Sequence, residues 1–480
     1  MKRNLLCVSC LAIALIALSC ENQAPEEEVA VSLAGKTAKT PVTISNILEV
    51  NQKAANFGIA VTSVGDVNGD GYGDVAVGAN FYDNGQTDEG VVYIYHGSAT
   101  GIKTAYAIRL ESNQKDARLG WSVASAGDVN GDGYGDVIVS AYRYDNGQTD
   151  EGVVYIYHGS ATGIAPAYAR RLEVDQANAS FGISVAAAGD VNGDGYGDVI
   201  VGAFLYDNGQ TDEGAAFIYH GSATGVGAQY ARRLEMDQAG AWFGYSVASA
   251  GDVNGDGYGD VVVGAFLYDN GQTDEGAAFI YHGSANGIGM TADRTIEPDQ
   301  AGAYFGYSVA SAGDVNGDGF DDVVVGAYLY DHGQTDEGAV FIYHGSVNGC
   351  GAVYDRMIEP DQAGANFGAA VASAGDVNGD GYDDVIVGAR SYDGNKTDEG
   401  AAFFYRGSAD GLSISANQKF ESNQADAFFG RSVASAGDVN GDGYGDVLVG
   451  ASLYDNGQYD EGAAFFYHGS ASGLCVGRCL

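Results

Sequence analysis

The sequence predicts an all-β protein, a seven-bladed β-propeller of four-stranded antiparallel blades. Three observations predict it. A unit of 62 residues recurs seven times, each unit holds four short strand-like runs without helical period, and an orphan strand before the first unit matches the one missing from the last.

The third copy shows the layout. SFGISVAAAGD (180–190) alternates and is rich in small and β-branched residues, and DVIVGAF (198–204) is a continuous apolar run. The turn-rich LYDNGQTDEG leads to GAAFIYHGS (214–222) and then ARRLEMD (231–237). Radial repetition of such units leaves only short, protected edges. The last copy stops after GAAFFYHGS (462–470), while ILEV (47–50) stands one period ahead of RLES (109–112). The N-terminal strand is therefore expected to complete the last blade and close the ring. A linear solenoid, the competing architecture, wants atypical capping repeats instead.

The repeats occupy residues 43–474. Ahead of them, Lys2 and Arg3, the apolar run Leu5–Leu18 and then Ser19-Cys20 match a secretory signal peptide over residues 1–19, too short to span a bilayer comfortably. Ala17-Leu18-Ser19-Cys20 resembles a bacterial lipoprotein signal, which implies lipidation of Cys20 and an acyl anchor that holds the protein on a membrane without spanning it. The alternative is an ordinary cleaved signal with an incidental cysteine. Residues 20–42 are polar and charged and read as a flexible tether. Residues 475–480 form a tail in which Cys475 and Cys479 either close a small disulfide, as export permits, or stay unpaired; Cys350 stands alone.

A formal charge of −42 argues against nucleic acid and against attraction to anionic lipid, while 45% hydrophobic residues and 32 tyrosines argue against disorder. The carboxylates belong to a packed fold.

Many of them lie in one loop, DVNGDGYGD in the first copy. Asn-Gly and Asp-Gly also make tight hairpin turns, but a turn needs one such pair. It does not need Asp at positions 1, 5 and 9 with Asn at 3, since carboxylates this close repel unless a cation neutralises them. Hard oxygen donors at alternate positions with Gly at position 6 suit Ca²⁺, and Mg²⁺ less well because it keeps several waters. The first loop offers Asp66, Asn68, Asp70, the Tyr72 carbonyl and Asp74; the second Asp128, Asn130, Asp132, Tyr134 and Asp136; the third Asp190, Asn192, Asp194, Tyr196 and Asp198. The fourth offers Asp252, Asn254, Asp256, Tyr258 and Asp260; the fifth Asp314, Asn316, Asp318, Phe320 and Asp322. The sixth has Asp376, Asn378, Asp380, Tyr382 and Asp384, and the seventh Asp438, Asn440, Asp442, Tyr444 and Asp446. An apolar twelfth position, Val77 in the first copy, and flanking strands exclude an EF-hand. About seven Ca²⁺ ions, one per blade, would lower the formal charge to −28 and pin each first hairpin. A second acidic motif, Asp-x-x-x-x-Asp-Glu-Gly (Asp207–Gly214 in the third copy), reads as a solvated loop.

Phe181-Gly182, then Val201-Gly202-Ala203, flanking an Asp-rich loop of this form, resemble the FG-GAP repeat of the integrin α-subunit propeller, in seven consecutive copies. Leu119 and Ser140 replace the Phe and the second Gly in copy two, and the Pro of the family pattern is absent. The resemblance implies calcium in the acidic hairpins and a protein-binding, adhesion-type role. It also implies an aromatic ring that receives a basic residue of a partner.

Near-identical copies make the columns that differ informative. One precedes the Phe-Gly pair (Asn56, Arg118, Ser180, Trp242, Tyr304, Asn366, Phe428) and one follows it (Ile59, Trp121, Ile183, Tyr245, Tyr307, Ala369, Arg431). A third ends the second strand: Asn80, Tyr142, Phe204, Phe266, Tyr328, Arg390 and Ser452. Trp242, Tyr245, Phe266, Tyr304, Tyr307 and Tyr328 fall on adjacent blades. They either pack between blades or form a patch for a cationic side chain or a sugar ring, on the face opposite the calcium loops. Six of seven histidines repeat at one position (His96, His158, His220, His282, His344, His468), and His332 alone is out of register; a catalytic site normally combines different residues in defined roles. No enzyme is expected. The reading is an exported, lipid-anchored, outward-facing monomer that binds calcium and an extracellular protein. The alternative is a carbohydrate-binding module of a polysaccharide-processing system.

Overall fold

The computed structural model describes residues 46–475. The leader, Cys20, the tether and Cys479, and with it the Cys475–Cys479 pairing, lie outside the described residues.

Strand β1 (Asn46–Glu49) precedes the first blade, which comprises β2 (Phe57–Gly65), β3 (Asp74–Ala79), β4 (Val91–Tyr95) and β5 (Ile108–Glu111). Strands β6 to β25, between Val123 and Glu421, repeat this order five times, and β26 (Phe429–Gly437), β27 (Asp446–Ala451) and β28 (Ala463–Tyr467) begin the seventh blade. All seven sheets are four-stranded and antiparallel, and β1 supplies the seventh sheet's outer strand with Leu48 opposite Ala464. The expected closure is what the structure has.

Burial follows position in the blade. In the first blade every residue of β3 and β4 is buried, as the continuous apolar runs require, while β5 is half-exposed. The core lies in wedges between blades: Val64, Ala76, Ile94 and Leu110 of blade one meet Leu119, Val123 and Val139 of blade two. The seventh wedge joins Leu48, Leu448 and Phe466 to Phe57, Val75 and Val77.

Paired glycines set how closely the blades approach. Gly244 has φ +84°, and a Cβ added to Gly202 of the preceding blade would lie 1.9 Å from the Gly244 carbonyl oxygen. At Ser140, the exception, the hydroxyl is satisfied within its blade, taking Ser122 N–H at 3.1 Å and donating to Ser122 O at 3.1 Å. Leu119 is as buried as the phenylalanines it replaces. Serines of the first strands then stitch neighbouring blades: Ser122 Oγ accepts Val185 N–H at 3.1 Å, and Ser432 Oγ donates to Gly58 O at 2.9 Å across the closure.

Candidate functional site

Each acidic loop folds around its first aspartate. Asp66 Oδ1 accepts N–H bonds from Gly69 (2.6 Å) and Asp70 (3.1 Å), and Oδ2 from Gly71 (2.7 Å). Asn68 Oδ1 accepts Asp70 N–H at 2.9 Å, and Asp70 Oδ1 accepts Tyr72 N–H at 3.2 Å. Gly69 and Gly71 take positive φ, which the turn requires.

The ninth position differs. Asp74 is fully buried beneath the loop, its oxygens taking N–H from Val67 (3.0 Å) and Gly97 (2.9 Å). Burial, with the charges of Asp70 and Asp66 adding to it, pushes its carboxyl up to about 7. The same holds at Asp136, Asp198, Asp260, Asp322 and Asp384, each pushed to about 7. At Asp446 burial raises the pKa against the opposing bond of His468, whose Nδ1 is 3.4 Å away.

These donors, hard and anionic with lone pairs to spare, fit a divalent cation. The structure brings the sequence-predicted residues of each loop onto one hairpin but spreads their carboxylates along backbone amides. Among the described residues, no three His, Cys, Asp or Glu side chains gather tightly enough to hold a metal. The loops do join one another: the Asp66 carbonyl accepts Gly135 N–H of the next loop at 3.0 Å, and Gly73 N–H reaches Asp438 O at 2.9 Å, closing a belt. In the fifth and sixth loops Asp321 and Asp383 stand where other copies have Gly, and their carboxylates take Asp252 N–H (2.7 Å) and Asp314 N–H (3.0 Å) of the preceding loop.

The second acidic motif corrects its sequence reading in part. Its glutamates, Glu89, Glu151, Glu213, Glu275, Glu337, Glu399 and Glu461, are at most 1% exposed, whereas Asp207 and residues 208–211 of the third copy are exposed, so the loop is solvated up to a buried glutamate. Glu461 Oε1 holds Asn456 N–H at 2.6 Å, and Asp207 Oδ1 holds Asp212 N–H at 2.7 Å. Asp212 and its six equivalents have left-handed φ of 46–52°, a conformation Asp tolerates better than most residues. The carbonyls of this turn reach the next blade: Asp150 O accepts Ser180 N–H at 3.2 Å and Glu151 O accepts Phe181 N–H at 2.9 Å. The motif is a built corner that grips the following repeat. A buried acid carries the same letter as a solvated one, so spacing alone could not reveal it.

What the corner holds is the variable column ahead of Phe-Gly. All seven of its residues have φ of 52–58°, including Arg118, Trp242, Tyr304 and Phe428. A left-handed backbone costs a bulky residue about 1–3 kcal/mol. Side chains here are thus presented at fixed angles.

The second column meets at the axis. Ile59, Trp121, Ile183, Tyr245, Tyr307, Ala369 and Arg431, one from each blade, line a mouth of about 140 Å³. Ile59 is the third residue of β2 and the first acidic loop follows the end of that strand, about 20 Å away at strand rise. The six aromatics on adjacent blades contact one another, some across the blade boundary. Tyr245 contacts Phe266 (ring centroids 4.7 Å) and Tyr307 (5.2 Å), Phe266 contacts Trp242 and Tyr304 (both 5.4 Å), and Tyr307 contacts Tyr328 (4.3 Å). Phe266 is buried beneath the others, and Phe204 extends the cluster through Trp242 at 5.0 Å. Two arginines that the sequence reading placed in its variable columns but not in the patch lie beside it: Arg390 is 5.4 Å from the Tyr328 ring and Arg431 5.9 Å from Trp121.

A profile of the FG-GAP repeat matches residues 57–95, 119–157, 181–219, 243–281, 305–343, 367–405 and 429–467, more than half of the chain. The chain is 32% identical to integrin alpha-5 of Xenopus laevis over 258 residues, covering 51% of this chain and 23% of that protein. It is 33% identical to integrin alpha pat-2 of Caenorhabditis briggsae over 227 residues (44% and 18%) and 35% identical to integrin alpha-V of Gallus gallus over 225 residues (45% and 20%). The matches thus span less than a quarter of these relatives' length. The chain belongs to the FG-GAP repeat family, and its seven repeats are the seven blades of one closed ring.

Proposed function

We propose that this protein is a calcium-stabilised binding module of the adhesion type, without catalytic activity, exported and held to a membrane by lipidated Cys20. One observation carries the calcium part: every blade buries an acid under a loop of further acids, and no Lys or Arg forms an ion pair with any of these ninth-position aspartates among the described residues. Two backbone N–H bonds, with His468 added at Asp446, leave the charge of a buried carboxylate short of compensation, and Ca²⁺ shared with positions 1, 3 and 5 would offset that cost in all seven blades. The binding part is supported by the integrin alpha relatives and by the contrast between uniform loops and a varied opposite face, which suits an extracellular protein ligand and a monomer.

The test is thermal unfolding of the protein after chelation and after return of Ca²⁺ or Mg²⁺, with a metal count. A Ca²⁺-selective rise in midpoint with about seven ions bound is expected. No shift and no bound metal would reduce the loops to turns. A carbohydrate ligand remains the second reading because of the aromatic cluster around Trp242; glycan-array binding abolished by Trp242→Ala, with no protein captured, would favour it.

A further inference from the structure

We propose that the axial mouth binds a carboxylate group, with Arg431 and Arg390 as its anchors. The inference deepens the binding-module reading and rests on it for biological meaning, although its chemistry stands apart from calcium.

The mouth is unlike the rest of the molecule. None of the ten residues lining it is acidic, in a chain with 64 acids. Arg431 forms part of the wall and stacks toward Trp121. Arg390, on the neighbouring blade and just outside this lining, lies over Tyr328, whose ring touches Tyr307. Neither arginine forms an ion pair among the described residues, whereas Arg109, Arg171 and Arg233 on the outer strands each pair with the glutamate two positions on. The hydroxyls of Tyr245 and Tyr307 approach to 3.4 Å between them. The charges of Arg431 and then Arg390 outweigh burial at Tyr307 and lower its hydroxyl, so both guanidinium fields reach the same spot.

The cationic side chain expected from the aromatic column alone would therefore meet two like charges. A guanidinium fork matches a carboxylate geometrically, with two parallel N–H···O bonds, and half-buried guanidiniums carry less hydration to displace than an ammonium. Tyr307, which accepts from Tyr245, adds a hydroxyl donor, and Trp121 an apolar wall for the stem that carries the acid. The mouth, about 140 Å³, accommodates a side-chain-sized acid and continues past Trp121, Ser122 and Arg431 into a cavity of about 300 Å³. The formal charge of −42 disfavours multiply charged ligands at long range.

Two sources share this chemistry: an acidic side chain of a partner protein and a free sugar acid. Two probes separate them, a ten-residue peptide with a single central Glu and free galacturonate. Each is titrated into the full-length protein in Ca²⁺-containing buffer and followed by isothermal titration calorimetry. At least one probe is expected to saturate; the Gln version of the peptide is expected not to. Arg431→Gln is expected to weaken binding at least tenfold with the melting midpoint unchanged, and Arg390→Gln to weaken it less. Should Arg431→Gln unfold the protein, Arg431→Lys keeps the charge, loses the fork and is expected to weaken binding severalfold. No saturation by either probe, equal binding of the Gln peptide, or preferential binding of a Lys peptide would each overturn the proposal. These readouts use small probes in folded protein, so their failure leaves the calcium-dependent adhesion reading standing. Failure to capture any protein partner would not touch a positive probe result.

Discussion

The two ends of the first strands make opposite use of the same repeat. At one end seven nearly identical acidic loops form a hydrogen-bonded belt, and at the other seven residues of five kinds converge on the mouth. Uniformity suits a region whose task is to hold the ring; variety suits one that recognises something. Altering the belt should therefore change stability and leave probe binding alone, and altering the mouth should do the reverse.

The largest expected effect is chelation. A cation at a hundredfold excess over its Kd contributes about 2.7 kcal/mol per site, so a few loops already match the roughly 5–15 kcal/mol stability of an ordinary domain. Calorimetry in chelator should show a drop far larger than any single substitution produces. The chelated protein should also respond to pH in a defined direction. The ninth-position acids have folded pKa values raised to about 7, so between about pH 4 and 7 the folded state binds more protons than the unfolded. Stability should fall as pH rises through that window and then level off; saturating Ca²⁺ should flatten the profile.

Next comes Gly202→Ala. The added Cβ would sit 1.9 Å from a backbone carbonyl of the next blade, which cannot move without opening the wedge. A loss of about 3 kcal/mol or more is expected from denaturant melts, in line with other severe steric changes, while Ser140→Gly should be mild because blade two already accommodates a side chain there. Asp198→Asn should be smaller and conditional. In Ca²⁺ it removes one ligand charge and should cost about 1–3 kcal/mol; in chelator it also removes a buried charge, so the loss should shrink or reverse. Equal losses in both buffers would mean that the carboxylate serves only its bonds to Val191 and Gly221.

The smallest effect belongs to blade five. His332 Nδ1 lies 2.8 Å from Glu359 Oε1, and that bond raises the imidazole pKa. The contribution is fully present below about pH 6.5 and lost as pH rises through the folded pKa, and at an exposed site it amounts to less than about 1 kcal/mol. His332→Asn should abolish this pH dependence while keeping a donor, as Asn270 Nδ2 donates to Glu297 at 2.8 Å.

The repeat made most of the fold legible. A period of 62 aligns seven copies, and the orphan ILEV is visible because RLES stands one period later. The acidic loops were legible as donor patterns, since local spacing sets local geometry. What stayed hidden depends on closure. Tyr245 and Arg431 lie 186 residues apart and share one wall of the mouth only because the ring brings blades four and seven to a common axis. The left-handed backbone of Trp242 was equally hidden, because propensity assigns that conformation to Gly, Asn or Asp and the preceding blade's corner imposes it on tryptophan.

Strand β1 has a consequence in time. Leu48 pairs with Ala464, 416 positions later, whereas Val92 pairs with Leu110 after 18. Loop-closure entropy makes the distant pairing costlier by about 3 kcal/mol, so it forms last. During synthesis β1 waits for β28, and a chain ended before the seventh blade keeps an open sheet edge of the kind that aggregates. Closure of the ring is thereby the step that removes that edge.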